Sequence, residues 1–254
     1  MDIRKYLERI QAVQENELTI EYLTHLQKSH VLNVHFENLD IINKKPLSLA
    51  KEDIYQKIVL AQRGGVCYEL NGLFYHLLMD LGFKPYLMAG TVYIGDGVWA
   101  MENAHLFLIV PVDKKDYLVD VGFGGKCPRI PVPMSGQEVI DSDGKYRVKK
   151  DEEKKCFYLQ KEGVEGWEIL YRFETPLHKW TFDHVNSVCV LTETSVQSKF
   201  NKKYFFSRVM EEGRITLLGD ALIIVKGRET IKEKLAPHEI VEKAHQHFQI
   251  SIPM

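Results

Sequence analysis

The sequence predicts an α+β protein in which a helical first third, an antiparallel β-barrel and a mixed α/β end follow one another. Three observations carry that reading. Up to Lys84 the apolar residues recur at helical spacing; from Lys84 they come in short β-branched and aromatic runs punctuated by turn residues; after about residue 190 both patterns return. The corresponding units are residues 1–84, 85–190 and 191–254. A chain of 254 residues suffices for a large buried core.

Within the helical part, Tyr6, Leu7 and Ile10 gather on one face, as do Ile20, Leu23 and Leu26, with Thr19 in position to cap the second helix. Ser48, ahead of Leu49-Ala50-Lys51-Glu52, is a further capping signal. A third helix begins near Cys67 and runs toward Gly82, whose lack of a side chain suits a helix end. The strand candidates are Tyr86 to Ile94, Leu106 to Pro111, Tyr117 to Val121, Tyr146 to Lys149, Phe157 to Gln160 and Trp167 to Phe173. Turn signals such as Gly95-Asp96-Gly97 and Asp141-Ser142-Asp143-Gly144 separate them, and an antiparallel barrel or curled sheet follows. The Lys149 to Lys155 run mixes its signs and reads as a solvated strand connection. Beyond residue 190, Thr194 to Asn201 reads as a short connecting helix. Strands are then expected at Phe205 to Glu211, Arg214 to Leu218 and Ala221 to Lys226, and a closing helix over Ile231 to Phe248, broken near Pro237.

A formal charge of -2 gives no general electrostatic reason to bind nucleic acid or an anionic membrane. Met1-Asp2-Ile3-Arg4-Lys5-Tyr6 lacks the apolar core of a signal peptide, and no apolar stretch approaches the roughly twenty residues of a membrane span. The expectation is a soluble, cytoplasmic protein. Cys67, Cys127, Cys156 and Cys189 are widely separated, with no Cys-x-x-Cys pair, which fits reduced thiols and no metal site. His245 and His247 lack companions at ligand spacing and read as a polar helix end.

The chemistry centres on Arg63-Gly64-Gly65-Val66-Cys67-Tyr68-Glu69-Leu70-Asn71. The glycines permit a tight turn, after which Cys67 stands at a helix start, where unpaired N–H groups and the helix dipole favour a thiolate. His105 opens the run Leu106-Phe107-Leu108-Ile109-Val110, and Asp120 precedes Val121-Gly122-Phe123-Gly124. Thiol, base and orienting carboxylate are the parts of nucleophilic catalysis. Taken singly, each residue also fits a core cysteine, a strand-boundary histidine or a turn aspartate. From the residues alone the reaction is acyl transfer or hydrolysis through cysteine, since proteases, transglutaminases and amide synthases share this set.

Together, in this order, the three segments resemble the arylamine N-acetyltransferases of the prokaryotic type. Phe36-Glu37-Asn38-Leu39-Asp40 extends the resemblance toward the N-terminus, and Tyr171-Arg172-Phe173 and Ser198-Lys199-Phe200 extend it more loosely downstream. The resemblance implies a papain-like cysteine core, with the nucleophile on the helical unit, histidine and aspartate on the barrel, and an α/β lid. It implies acetyl-coenzyme A as acetyl donor, no metal, an aromatic amine or hydrazine acceptor, a role in xenobiotic metabolism, and catalytic roles for Cys67, His105 and Asp120. Carried over position by position, it makes Phe36, Val92 and Phe123 the acceptor pocket and assigns no coenzyme A contacts. Two departures stand out. His35 occupies a position where the family commonly has proline, and is expected to be exposed; Met101-Glu102-Asn103-Ala104 precedes His105 where many members have small hydroxyl residues or glycine. An amide synthase of the same fold with another acyl donor, or a noncatalytic binding module, is the alternative.

Overall fold

The computed structural model describes residues 1–227 and 229–252. The first part is helical: α1 (Ile3–Ile10), α2 (Ile20–Asn33), the single turn α3 (Leu39–Ile42), α4 (Lys51–Tyr55), which runs into a π-helical turn (Gln56–Leu60), and α5 (Cys67–Leu81). Tyr6, Leu7 and Ile10 are buried together with Tyr22, Leu23 and Leu26, as their spacing requires. Thr19 caps α2 by accepting the Tyr22 N–H at 3.2 Å. Gly82 closes α5 in the left-handed conformation at φ 107°. Ser48 does not cap α4; Ala50 holds that position. Its hydroxyl instead accepts the Ala50 N–H and donates to Asp53 at 2.6 Å, bracing the turn one step earlier.

The middle of the chain forms β1 (Tyr86–Gly95), β2 (Val98–Trp99), β3 (His105–Val112), β4 (Lys115–Val119), β5 (Val132–Pro133), β6 (Val139–Asp141), β7 (Gly144–Asp151), β8 (Cys156–Gly163) and β9 (Gly166–Glu174). They pair antiparallel in the order β5-β4-β3-β1-β9-β8-β7-β6, with β2 as a short addition to β1, and curl until β5 lies beside β7. The result is a nearly closed barrel. Strand β3 is buried on both faces. Leu106, Leu108 and Val110 pack on α5 and the helical core, while Phe107 and Ile109 fill the barrel with Met88, Leu118, Tyr171 and Phe173. That double burial explains why its sequence is an unbroken apolar run instead of an alternation.

Residues beyond the barrel form α6 (Phe182–Thr194), an antiparallel sheet of β10 (Phe205–Val209), β11 (Arg214–Leu218), β12 (Ala221–Lys226) and β13 (Glu229–Lys234) in that order, and α7 (Pro237–Phe248). Two expectations need correction. The connecting helix lies not at Thr194 to Asn201 but just upstream, capped by Thr181, because the Ser195 and Ser198 hydroxyls accept the N–H groups of Gln197 and Phe200 and divert that stretch into turns. The segment from Ile231 to Lys234 is strand, not helix. It pairs in register with β12, its charged side chains guard an exposed sheet edge, and Pro237 starts α7 instead of breaking a longer helix.

The three parts are joined through Phe36-Glu37-Asn38. Phe36 exchanges both backbone hydrogen bonds with Ser207 on β10 at 2.9 Å, and the Glu37 N–H reaches the Gly65 carbonyl at 3.0 Å. Asn38 donates to the Phe200 and Lys203 carbonyls and accepts the Phe205 N–H. A side chain on Gly64 would begin 2.1 Å from the His35 carbonyl oxygen, so this crossing requires glycine there. His35 is not the exposed residue its polarity suggests: the crossing encloses it, its ring lies 6.0 Å from that of Phe248, and its Nε2 is buried. Beneath the segment, Arg63 grips Glu37 at 2.6 Å and reaches Asp40 at 3.3 Å. Lys57 meets Glu69 and Asp40, each at 2.8 Å. Glu69 is taken by Lys57 and by the Val66 N–H at 3.0 Å, and so does not compete for Arg63.

Glu37 is wholly buried, and Arg63→Ala leaves it only the more distant Lys57, at 3.7 Å, as a charge partner. Removal of one member of a buried pair typically costs about 3 to 5 kcal/mol. Arg63 is partly exposed, which points to the lower bound, and at about 2 to 4 °C per kcal/mol the melting temperature should fall by roughly 6 to 12 °C. Thermal denaturation checks this; an unchanged midpoint would show that the pair does not support the fold.

Candidate active site

Cys67 is the first residue of α5, behind an extended Val66 whose N–H is held by Glu69. Its own N–H has no intrahelical partner and is available to an incoming oxyanion. His105 opens β3 and Asp120 follows β4, so adjacent antiparallel strands present both to the start of α5. His105 Nε2 lies 2.7 Å from Asp120 Oδ2. Cys67 lies close by: its Sγ reaches the carbonyl of Ala104, the residue before His105, at 4.0 Å, and its presence raises the His105 pKa. The structure therefore brings all three sequence-predicted residues together.

Asp120 is fully buried and every lone-pair direction is used. Oδ1 accepts from Asn71 Nδ2 at 3.0 Å and the Gly122 N–H at 2.9 Å; Oδ2 faces His105 and accepts from the Tyr171 hydroxyl at 3.1 Å. Asn71 also donates to the Leu106 carbonyl and accepts the Val121 N–H, which ties α5 to β3 and to the loop after β4. Burial alone would lower the His105 pKa, but the Asp120 carboxylate, with help from Cys67, holds it up at about 10. Burial alone would raise the Asp120 pKa, yet His105, Asn71 and Gly122 hold it below the ordinary carboxylate value. The two directions agree: the pair is charged at neutral pH. Its stabilisation from His105 is complete below about pH 6.5 and is lost as pH rises toward 10; that from Asp120 is complete above about 3.8 and is lost in acid.

Beside this pair opens a cavity of about 990 Å³, into which Cys67 and His105 face. Phe36, Val92 and Phe123, the three pocket residues expected from sequence, all line it. Phe123 stands edge-on to the His105 ring at 5.1 Å, and Phe36 packs on Phe205 at 5.1 Å and Phe200 at 5.7 Å. Met101, Glu102 and Ala104 form part of the wall, while Lys199, Lys203 and Arg214 supply positive charge from the lid side.

Sequence reasoning assigned no role to Asn71, Tyr171 or Gly122. Asn71 had a signal, since it stands four residues after Cys67 and so on the same helix face. Tyr171 had only a loose motif match that named no role, because only the β1–β9 register brings it opposite Val92. Gly122 is dictated by contact: a Cβ there would lie 2.8 Å from Cys67 Cα and 2.6 Å from Asn71 Nδ2.

A sequence model of the N-acetyltransferase family matches residues 19–254. The chain belongs to the arylamine N-acetyltransferase family. Among its relatives, the Bacillus subtilis protein named uncharacterized acetyltransferase YvcN is 33% identical over 84% of each chain. Proansamycin X synthase of Amycolatopsis mediterranei is 30% identical over 71% of this chain and 70% of its own. The fold is that of the solved arylamine N-acetyltransferases. The crystal structure of NAT3 from Bacillus cereus superposes with a TM-score of 0.88 at 28% identity, covering 99% of both chains, and was described as revealing a unique Cys-His-Glu catalytic triad. In the present member of the family, an aspartate stands against the histidine.

Two measurements test this geometry. Asp120→Asn removes the charge that holds His105 protonated, so the reaction of Cys67 with iodoacetamide at neutral pH should be slower than in the parent. Identical rates would exclude the carboxylate from that task. Gly122→Ala should displace the Cys67 backbone and slow its modification by on the order of 10²-fold, as misplacement by about 1 Å does; an unaltered rate would show that the loop yields instead.

Proposed function

We propose that this protein transfers the acetyl group of acetyl-coenzyme A to an arylamine, an arylhydrazine or an N-hydroxyarylamine, in ping-pong fashion through an acetylated Cys67. The observation that carries the proposal is the opening of Cys67, with a charged His105–Asp120 pair behind it, into a wide cavity walled by aromatic rings. In the first half-reaction the Cys67 thiolate attacks the thioester carbonyl, the carbon–sulfur bond to coenzyme A breaks, and the departing thiolate takes the proton of the His105 imidazolium. In the second, the amine attacks acetyl-Cys67, gives a proton to the neutral imidazole and expels the thiolate. Both starting charges are restored. Asp120 keeps Nε2 protonated throughout and so leaves Nδ1 for these transfers.

The Cys67 N–H is one oxyanion donor. Phe36, Val92 and Phe123 offer a flat acceptor apolar faces beside the thioester, and Lys199, Lys203 and Arg214 have the sign that donor phosphates require. Four free, buried cysteines suit a reducing, cytoplasmic setting. A second reading, amide synthesis with a bulkier acyl donor, is favoured by the relatedness to proansamycin X synthase and by the size of the cavity.

Single-turnover mass spectrometry separates these readings. Acetyl-coenzyme A without amine should add one acetyl group to Cys67 and release coenzyme A, and arylamine should then discharge it. Cys67→Ser should reduce turnover by several orders of magnitude, since an alcohol is a far poorer nucleophile beside this base. An adduct formed only with larger acyl thioesters would establish the synthase reading, and no adduct with any donor would exclude both.

A further inference from the structure

A second, smaller pocket of about 70 Å³ lies between α1, the His35 segment, β10 and the end of α7. Its walls include Arg9, His35, Arg208 and His247, with the amides of Asn33 and Gln62 and, among the described residues, no acidic residue. Arg9 is fixed by carbonyls alone, donating to Ile58 at 3.0 Å and Asn33 at 2.6 Å and, more distantly, to Gln62 and Arg63 at 3.4 Å. Arg208 spends one N–H on the His247 carbonyl at 3.3 Å. His35 lines the pocket, and its Nε2 is buried with no hydrogen-bond partner among the described residues. The nearby Glu37 carboxylate is already committed to Arg63 at 2.6 Å. Two guanidiniums and an imidazole thus border one small pocket where, among the described residues, no carboxylate balances them, an arrangement that an anion would complete.

We propose that this pocket binds a small tetrahedral oxyanion, phosphate or sulfate, between the Arg9 and Arg208 guanidiniums, with the His35 imidazole in its wall. The volume admits a few waters or one such ion. Neither His35 nor Arg208 lines the larger cavity. They adjoin Phe36 and Ser207, the residues whose backbones pair across the interface, and the alternation of extended chain turns them to the opposite side. A bound oxyanion would therefore pin β10 and α7 to α1 at the seam beside the Phe36 wall. It would also relieve a repulsion that now depresses both Arg9 and His35: each is lowered first by burial, Arg208 adds to both, and His35 stands at about 4.

Thermal denaturation of the full chain in phosphate or sulfate, against chloride at equal ionic strength, tests the site. Both oxyanions also stabilise proteins generally by exclusion from the surface, so the comparison is with Arg208→Gln, and with Arg4→Gln as an exposed control outside the pocket. The parent and Arg4→Gln should gain about 3 °C or more with oxyanion near ten times its dissociation constant, saturably, and Arg208→Gln should lose that increment. NMR titration should show the His35 pKa rising from about 4 when phosphate is present. Stabilisation by inorganic phosphate but not by adenosine 5′-monophosphate identifies a free ion; equal stabilisation by both identifies the phosphate group of a larger ligand. Equal gains in parent and Arg208→Gln, or no shift of His35, would overturn the proposal.

Discussion

The structure depends on keeping the Asp120 carboxylate ionised where no water reaches it. An unpaired carboxylate in such a place would take up a proton, or the fold would open to hydrate it. Neither is needed, because donors arrive from α5 through Asn71, β3 through His105, the loop after β4 through Gly122, and β9 through Tyr171. Each donor fixes its own element against the others. The barrel, the helical part and the loop that passes Cys67 are therefore in register only when this carboxylate is satisfied. The same hydrogen bonds that hold the fold set the ionisation of His105.

A second charged centre works on the other side of α5. Lys57 and Arg63 are shared among Glu37, Asp40 and Glu69, and the consequence is positional: Glu69 fixes the start of the helix that carries Cys67, and Glu37 fixes the segment that carries Phe36. Phe36 in turn reaches the lid sheet through Ser207. The wall of the large cavity and the thiol it faces are thus located by one ion cluster, so neither moves independently of the other.

Much of this was legible in the sequence, and the exceptions have physical reasons. The extents of α5, β1 and β9 follow from apolar period and turn chemistry, because packing there agrees with local preference. Ser195 and Ser198 misled because a polar run can read as helix until its hydroxyls take the backbone N–H groups for turns. Ile231 to Lys234 misled because a charged edge strand has the composition of a solvated helix, and only its pairing with β12 reveals it. At the site, Cys67, His105 and Asp120 were visible through the glycine turn and the apolar runs that follow them. The role of Tyr171 was not, since its approach to Asp120 is a product of strand register across distant sequence. His35 was misjudged for the same reason: enclosure by Gly64 and Phe248 is tertiary, and polarity alone carries no sign of it.

The ionisation of His105 also bears on how one imidazole can serve both halves of the proposed reaction. A group held at about 10 is a sound cation but a reluctant acid at neutral pH, and after losing its proton it must act as a base toward an amine. Three influences set that value: burial lowers it, Asp120 raises it, and Cys67 raises it further through charge and a hydrogen bond. Acylation of Cys67 removes the last of these and leaves the first intact. The imidazolium therefore becomes more acidic as the thioester on Cys67 forms, which favours proton delivery to the departing thiolate. When the amine expels Cys67 the thiolate returns, and with it the support for a protonated ring, so the base strengthens as it receives the proton. The cysteine is in this sense part of the electrostatic environment that tunes its own base, and burial of the pair is what makes a single nearby charge large enough to matter.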